Sequence, residues 1–106
     1  MILWSKTMKL NRKPTHPGEF FKEEILEERG ISVTSAAQSL GVTRKSLSVF
    51  INCHSKCSHA MARRLAEATG TGVAFWINMQ AKLDTWEAEH MELETEISPL
   101  PITKIA

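Results

Sequence analysis

The sequence lacks the features that mark secreted, membrane-spanning and disulfide-stapled proteins. It has 106 residues and only two cysteines, whereas a secreted domain of this size usually carries more. No apolar run approaches the roughly 18 residues of a membrane helix, and the apolar part of the opening MILWSK is too short for a secretory signal. We therefore expect a cytoplasmic protein with one small domain.

Negative charge is distributed unevenly along the chain, and residues 1–16 contain four bases and no acid. The whole sequence has 13 basic and 12 acidic side chains and a net charge of +1. Residues 31–66 contain five of the bases and no acid, while residues 67–106 contain seven acids and two bases. A surface without carboxylates suits DNA, which carries about one negative charge per 1.7 Å. The acid-free segment is therefore the main functional indication, and the acidic remainder is free for a protein partner.

Motifs typical of enzymes are absent as well. The sequence contains no glycine-rich phosphate loop, no HExxH and no nucleophile elbow. His16 suits a helix-capping position, and His90 lies near a predicted helix end. We expect no catalytic activity and no cofactor. The acidic cluster of the first predicted helix is more simply solvating charge on its polar face, and it comprises Glu23, Glu24, Glu27 and Glu28.

Glycines and prolines lie at the edges of segments with helical periodicity, and we identify no sustained period of two. The pattern predicts an all-α fold with five helices. The first begins at Pro17 and stops at Gly30, and the next four are predicted over 33–40, 44–52, 59–69 and 73–91. The predicted organisation is a flexible leader over 1–14, a domain over 15–91, and an acidic and apolar extended tail over 92–106.

The second and third predicted helices are short and are joined by a turn at Gly41, which is the spacing of a helix-turn-helix. Thr43 is predicted to cap the third helix, and Arg44 and Lys45 follow it, where they can donate to guanine O6 and N7. An ordinary solvated helical hairpin is the alternative, but the missing carboxylates favour DNA binding. Further candidates for base or phosphate contacts are Thr34, Ser35, Ser46, Ser48, Val49, Asn52 and Lys56.

The last predicted helix carries a heptad-like apolar seam. The seam is explained either by core packing against the first and fourth helices or by contact with a second copy. We expect the first half of the helix to be core, together with Val73 and Phe75, and the second half to form a dimer. A dimer places two recognition helices about 34 Å apart and predicts a palindromic operator. The predicted dimer interface consists of Trp76, Met79, Leu83 and Trp86.

One cluster has the residue types of a metal site, namely Cys53, His54, Cys57 and His59. Structural zinc usually takes four ligands in two separated pairs, whereas these four are compressed into one short loop. We therefore predict no metal site. If the cluster did bind a metal, the protein would be a metal-responsive repressor.

Longer segments resemble the HigA-type antitoxins, also called VapI, of the Xre/Cro-like helix-turn-helix class. The similar segments are THPGEFFKEEILEERGIS, TSAAQSLGVTRKSLSVFIN and ARRLAEATGTGVAFWINMQAKLDTWEA. The resemblance implies a lambda-repressor-like domain in a homodimeric repressor that binds its own operator and neutralises a HigB-type toxin, an mRNA-cleaving ribonuclease. The alternative is a stand-alone regulator without a toxin. The family's base contacts fall here on Thr43, Arg44, Lys45, Ser48 and Val49.

The resemblance leaves two questions open, the shape of one loop and the role of the apolar residues at the termini. Cys53 stands where the family usually has a glycine that ends the recognition helix, which leaves the shape of the loop over 53–57 open. Both termini carry apolar residues without a helix to bury them. The termini are either unstructured, or the tail contacts a second copy or the toxin, where the acidic stretch 87–96 complements a basic ribonuclease. These apolar residues are Ile2, Leu3, Trp4, Ile97, Leu100, Ile102 and Ile105.

Overall fold

The computed structural model describes residues 12–102, which fold into five helices without a strand in that range. Helix α1 begins as Pro17–Phe20, continues as a wider π-helical stretch, Phe21–Glu27, and ends with the helical residues 28–29. The other helices are α2 (Val33–Leu40), α3 (Arg44–Ile51), α4 (His59–Thr69) and α5 (Val73–His90). The prediction of an all-α fold with five helices is confirmed. Within residues 12–102, no helix is long and apolar enough to cross a membrane.

Parts of the predicted termini lie outside the described residues. They comprise most of the leader over 1–14, with Ile2, Leu3 and Trp4, and the end of the tail with Ile105.

Local caps determine where the helices begin. The side-chain oxygens of Ser32, Thr43 and Ser58 accept a backbone N–H from the third residue of α2, α3 and α4, at 3.1, 3.0 and 3.0 Å. Gly41 and Gly70 end α2 and α4 in the left-handed conformation, with φ of 72° and 75°. The predicted cap at Thr43 and the predicted turn at Gly41 are confirmed, and Ser32, Ser58 and Gly70 have residue types that favour the same roles.

The wide turn of α1 accounts for an unusual spacing of apolar residues. Phe21 and Leu26 are five residues apart, and both are buried in the same core. An ordinary α-helix would turn one of them away, whereas the i→i+5 bonding of a π-helix brings both to one face. Phe20 and Ile25, again five apart, pack against that core as well. The sequence pattern contained this spacing, but we predicted an ordinary helix from it.

The core centres on Trp76, where α1 meets the first half of α5. The indole makes edge-on contacts with Phe20, Phe21 and Phe75, with ring centroids 5.8, 6.2 and 5.0 Å apart. Its Nε1 donates to Oγ1 of Thr71 at 2.7 Å, so that this polar atom is not left unsatisfied. The aromatic cluster therefore joins α1, which precedes the helix-turn-helix in the chain, to α5.

The predicted dimer interface is wrong for two of its four residues. Trp76 and Leu83 are only 0% and 2% exposed within a single chain, so neither presents surface to a second copy. Trp76 belongs to the core cluster, which was the alternative for this seam, and Leu83 is likewise covered within the single chain. Met79 and Trp86 are half-buried and remain candidates for a dimer contact.

Val73 and Phe75 at the start of α5 were predicted to be buried in the core, and this prediction is also wrong. Val73 and Phe75 are 38% and 42% exposed, although Phe75 still touches the aromatic cluster. The face of α5 that is buried carries Trp76, Gln80 and Leu83. A heptad pattern identifies apolar positions, but the neighbouring helices decide which of them are covered.

Helix α1 approaches the end of α3 through Gly18. A Cβ atom at this position would lie 1.9 Å from the backbone oxygen of Phe50 and 2.8 Å from its carbonyl carbon. Such distances leave no room for any side chain, so the approach requires glycine. Pro17 precedes it in the first helical turn, where a missing N–H is harmless. The start of α1 is therefore shaped to fit against the carbonyl of Phe50.

Replacing Gly18 by alanine is expected to lower the free energy of unfolding by more than about 2 kcal/mol, because the backbone of α1 or α3 must move. Gly72→Ala is the matched control, since a Cβ there meets nothing within 4 Å. We expect it to cost less than about 1 kcal/mol. Urea unfolding followed by circular dichroism measures both, and equal losses in the two variants would contradict the close approach.

Candidate nucleic-acid interface

The outward side of α3 carries the residues that were predicted to contact DNA. The inward side buries Leu47, Phe50 and Ile51 against the core. No carboxylate occurs in α2, in α3 or in the turn between them. Arg44, Lys45 and Ser46 are exposed, and Ser48 and Val49 are half-buried. We call the outward side of α3 together with Thr34 and Ser35 of α2 the α2–α3 surface.

Arg44 and Thr34 connect the two helices of this surface. Nε of Arg44 donates to Oγ1 of Thr34 at 3.0 Å. This bond leaves the terminal nitrogens of the guanidinium, which are suited to guanine or to a phosphate. Ser35 is exposed in the same first turn of α2. The bond therefore orients Arg44 at the point where α3 begins.

The turn between α2 and α3 is held by a side chain from α4. Nη1 of Arg64 donates to the backbone oxygen of Leu40 at 2.8 Å, and it lies 3.4 Å from that of Gly41. A Cβ at Gly41 would approach the same Nη1 to 2.9 Å. Sequence reasoning counted Arg64 only as positive charge, since its partner lies 24 residues away.

Two of the predicted DNA contacts have partners within the protein. Nδ2 of Asn52 donates to the backbone oxygen of Ser48 at 2.8 Å, so this side chain helps to end α3. Nζ of Lys56 lies 3.4 Å from Oδ1 of Asp84, in an exposed ion pair. Exposed pairs contribute about 0–1 kcal/mol, so a phosphate can replace Asp84 at little cost. Lys56 remains a candidate phosphate contact, and the donor of Asn52 is already in use.

The loop that follows α3 is anchored to α5. The buried side chain of Gln80 accepts the backbone N–H of Cys57 at 2.8 Å, and its Nε2 donates to Oδ1 of Asp84 at 2.9 Å. Asp84 also pairs with Lys56 of the same loop. Sequence reasoning did not single out Gln80, although a polar residue within an apolar seam is a signal that could have identified it.

Comparison with known proteins identifies the chain's relatives. No family model matches it. It is 43% identical over 79 residues to the uncharacterized HTH-type transcriptional regulator YbaQ of Escherichia coli K12, covering 74% of this chain and 70% of that protein. It is 35% identical over 82 residues to antitoxin HigA-1 of Vibrio cholerae, covering 77% of each. The chain belongs to the HigA-like family of helix-turn-helix regulators.

A solved structure of the HigA-like family supports the same assignment. The Pseudomonas aeruginosa antitoxin HigA, determined with the higBA promoter, superposes with a TM-score of 0.71 and 32% identity. The match covers 83% of this chain and 99% of that one. The resemblance inferred from the sequence is thereby confirmed, and so is the five-helix, lambda-repressor-like fold.

The departure from the HigA-like pattern at Cys53 is accommodated by strain. Cys53 is the only non-glycine residue with positive φ among residues 12–102, at 66°. This left-handed conformation is the one that glycine adopts freely and that other residues adopt at a cost of about 1–2 kcal/mol. The loop therefore keeps the backbone that a glycine would give, and the open question of its shape is answered.

The side chains of Cys53, His54, Cys57 and His59 do not come together as a metal site, and none was predicted from the sequence. Within residues 12–102, no three side chains of His, Cys, Asp or Glu are placed to hold an ion. Cys57 is buried, and burial raises the pKa of its thiol to about 11. Burial, followed by the charge of Glu19, raises the pKa of Cys53 as well. Burial thus disfavours the thiolate form of both cysteines within the folded chain. This geometry gives no support to a metal-responsive repressor.

His16 joins the start of α1 to the loop after α3. Its Nδ1 accepts the N–H of Gly18 at 2.8 Å, and its Nε2 lies 3.0 Å from the backbone oxygen of Ser55. Both bonds form only when the imidazole is neutral and carries its hydrogen on Nε2. Burial lowers the pKa of His16, and this effect outweighs the opposing bond to Ser55 and the nearby carboxylates. The capping role suggested by the sequence is confirmed.

The lowered pKa of His16 makes stability depend on pH. The unfolded chain binds the proton more tightly, so acidification favours unfolding. We expect stability to fall as the pH decreases from about 7.5 to about 5.5, the range in which histidine titrates. His16→Asn keeps an acceptor at the cap but cannot titrate, so its profile should be flatter. Thermal unfolding across this range measures both proteins, and parallel profiles would show that His16 does not cause the dependence.

The strain at Cys53 leads to a second expectation. Cys53→Gly should raise the free energy of unfolding by about 1 kcal/mol, because glycine adopts positive φ without a steric penalty. Cys53→Ala removes the thiol but keeps Cβ, so it should change stability by less than about 0.5 kcal/mol. Chemical unfolding under reducing conditions compares the two. A gain of equal size in both variants would assign the effect to the thiol instead of the backbone.

Proposed function

We propose that this protein is an antitoxin that represses its own operon through the α2–α3 surface and neutralises a HigB-type ribonuclease toxin. The observation that carries the DNA-binding part is the charge and orientation of α3. Its inner side is buried against the core, while Arg44 and Lys45 project from its first turn without a carboxylate on either helix of the motif. The relatives named as antitoxins, and the one solved with its promoter, support the remainder.

In the proposed complex, the start of α3 enters the major groove. Arg44 is the better partner for guanine because its terminal nitrogens can bind O6 and N7 together, and Lys45 offers a second donor. Val49 can touch a thymine methyl group. Ser46 and Ser48 can reach bases or phosphates. Thr34 contributes to base recognition indirectly, because its hydroxyl accepts a hydrogen bond from Nε of Arg44.

Phosphates are bound on either side of α3 in this proposal. Thr34 and Ser35 lie in the first turn of α2, where unpaired backbone N–H groups and the helix dipole favour an anion. Lys56, in the loop after α3, binds a phosphate of the DNA backbone in place of its ion pair with Asp84. Such contacts set the register of the protein on DNA without reading its sequence.

The proposed repressor is a homodimer. Of the predicted seam, Met79 and Trp86 retain exposed surface on α5. A two-fold axis beside this helix would present two α3 helices to successive turns of the major groove, about 34 Å apart, and would match a palindromic operator. The domain that forms the dimer corresponds to residues 15–91, and the tail begins after it.

The toxin partner separates this proposal from a stand-alone regulator. Relatives named only as transcriptional regulators favour the second function. A reading frame for a small basic ribonuclease beside this gene, and co-purification of its product with this protein, would support the antitoxin.

The DNA surface is tested by the double change Arg44→Ala and Lys45→Ala. Each lost base contact costs about 1–3 kcal/mol, so operator affinity should fall by at least about tenfold while the fold is kept. The matched control is Arg29→Ala with Lys82→Ala, which removes the same charge from exposed positions on α1 and α5. Fluorescence anisotropy with the upstream DNA gives both affinities. Unchanged operator affinity in the first variant would refute the assignment.

A further inference from the structure

The segment after α5 has a pattern that the sequence analysis overlooked. Residues 91–97 read MELETEI, in which glutamates alternate with three apolar residues and one threonine, Met91, Leu93, Thr95 and Ile97. Met91, Leu93 and Ile97 are 63%, 65% and 68% exposed, so nothing in the described chain covers them. An alternation with a period of two is typical of a β-strand with one apolar and one polar face. The sequence pattern is therefore that of an amphipathic strand, and in the single chain its backbone bends at Glu94 and Thr95 without forming a sheet.

The backbone of this segment is also available for pairing. Met91 ends α5 in an extended conformation, with φ of −80° and ψ of 151°. Among the described residues of the tail, the one backbone hydrogen bond joins the N–H of Ile102 to the oxygen of Leu100, beyond residue 97. Unpaired N–H and C=O groups on an extended chain are what a sheet edge of another protein can bind.

The charge of the segment restricts which protein can bind it. Between residues 87 and 96 the chain has five glutamates and no lysine or arginine. Two copies of this strand would place like charges opposite each other, which is destabilising. A basic surface is the complementary partner, and a ribonuclease that binds mRNA must present one to the phosphates of its substrate.

We propose that residues 91–97 bind the toxin as a β-strand added to the edge of its sheet. The apolar side chains would then lie on the packed face of the extended sheet, and the glutamates on the opposite, RNA-binding face. This inference rests on the proposed antitoxin function. The three glutamates, Glu92, Glu94 and Glu96, then occupy the positions where the phosphates of the substrate would bind. Toxin binding and inhibition of RNA cleavage would thus depend on the same charges.

The test uses the full chain and the product of the adjacent ribonuclease gene, with affinity measured by calorimetry at low and high salt. Replacing Glu92, Glu94 and Glu96 by glutamine should weaken toxin binding by at least about tenfold at low salt, with a smaller difference at high salt. The control replaces the exposed Glu23, Glu27 and Glu28 of α1 by glutamine, and should change affinity by less than about twofold. Leu93→Ser with Ile97→Ser tests the apolar face and should also weaken binding.

The outcomes separate this inference from the function on which it rests. If the natural chain binds the toxin and the tail variants bind equally well, the inference is wrong and the antitoxin function stands. If the natural chain does not bind the toxin, the antitoxin function fails, and the inference with it. If the tail variants instead lower the dimer mass in sedimentation, the strand belongs to a second copy and the inference is overturned. Operator affinity should be the same in all variants, which confirms that each one folds.

Discussion

The contact of Gly18 with the carbonyl of Phe50 is the constraint on which the pose of the recognition helix depends. This approach leaves no space for a side chain, so the backbones of α1 and the end of α3 are in close contact. His16 strengthens the link by bonding both Gly18 and the loop at Ser55. The start of α3 is held separately by the bond between Arg44 and Thr34. A helix fixed at both ends presents its side chains in one geometry, which base recognition requires.

The loop after α3 extends this rigidity to α5. Gln80 bonds the backbone of Cys57 and the carboxylate of Asp84, and Asp84 in turn pairs with Lys56. These contacts matter because α5 is the helix proposed to carry the two-fold axis. Spacing between two recognition helices can match an operator only if each is fixed relative to that axis. The strained backbone of Cys53 is tolerated because the loop is held on both sides.

Local features of the fold could be predicted from the sequence, whereas contacts between distant residues could not. The caps at Ser32, Thr43 and Ser58 involve bonds across three residues, so residue type and spacing sufficed. The hydrogen bond from Arg64 to Leu40 joins residues that are 24 positions apart, and no local pattern predicts it. The heptad seam shows the intermediate case, because its apolar residues were identified correctly but Trp76 proved to be covered by the chain itself.

The uneven charge of the sequence becomes a division of surfaces in the structure. The acid-free segment forms the α2–α3 surface, and the glutamates after residue 86 lie at the end of α5 and in the tail. The two regions share no residue, so the surface proposed for DNA and the segment proposed for the toxin are separate. The tail and DNA carry charge of the same sign, so DNA repels the tail and the tail adds no DNA contact of its own. A near-neutral protein can therefore present one surface suited to a polyanion and another suited to a basic partner, because its charges are separated along the chain.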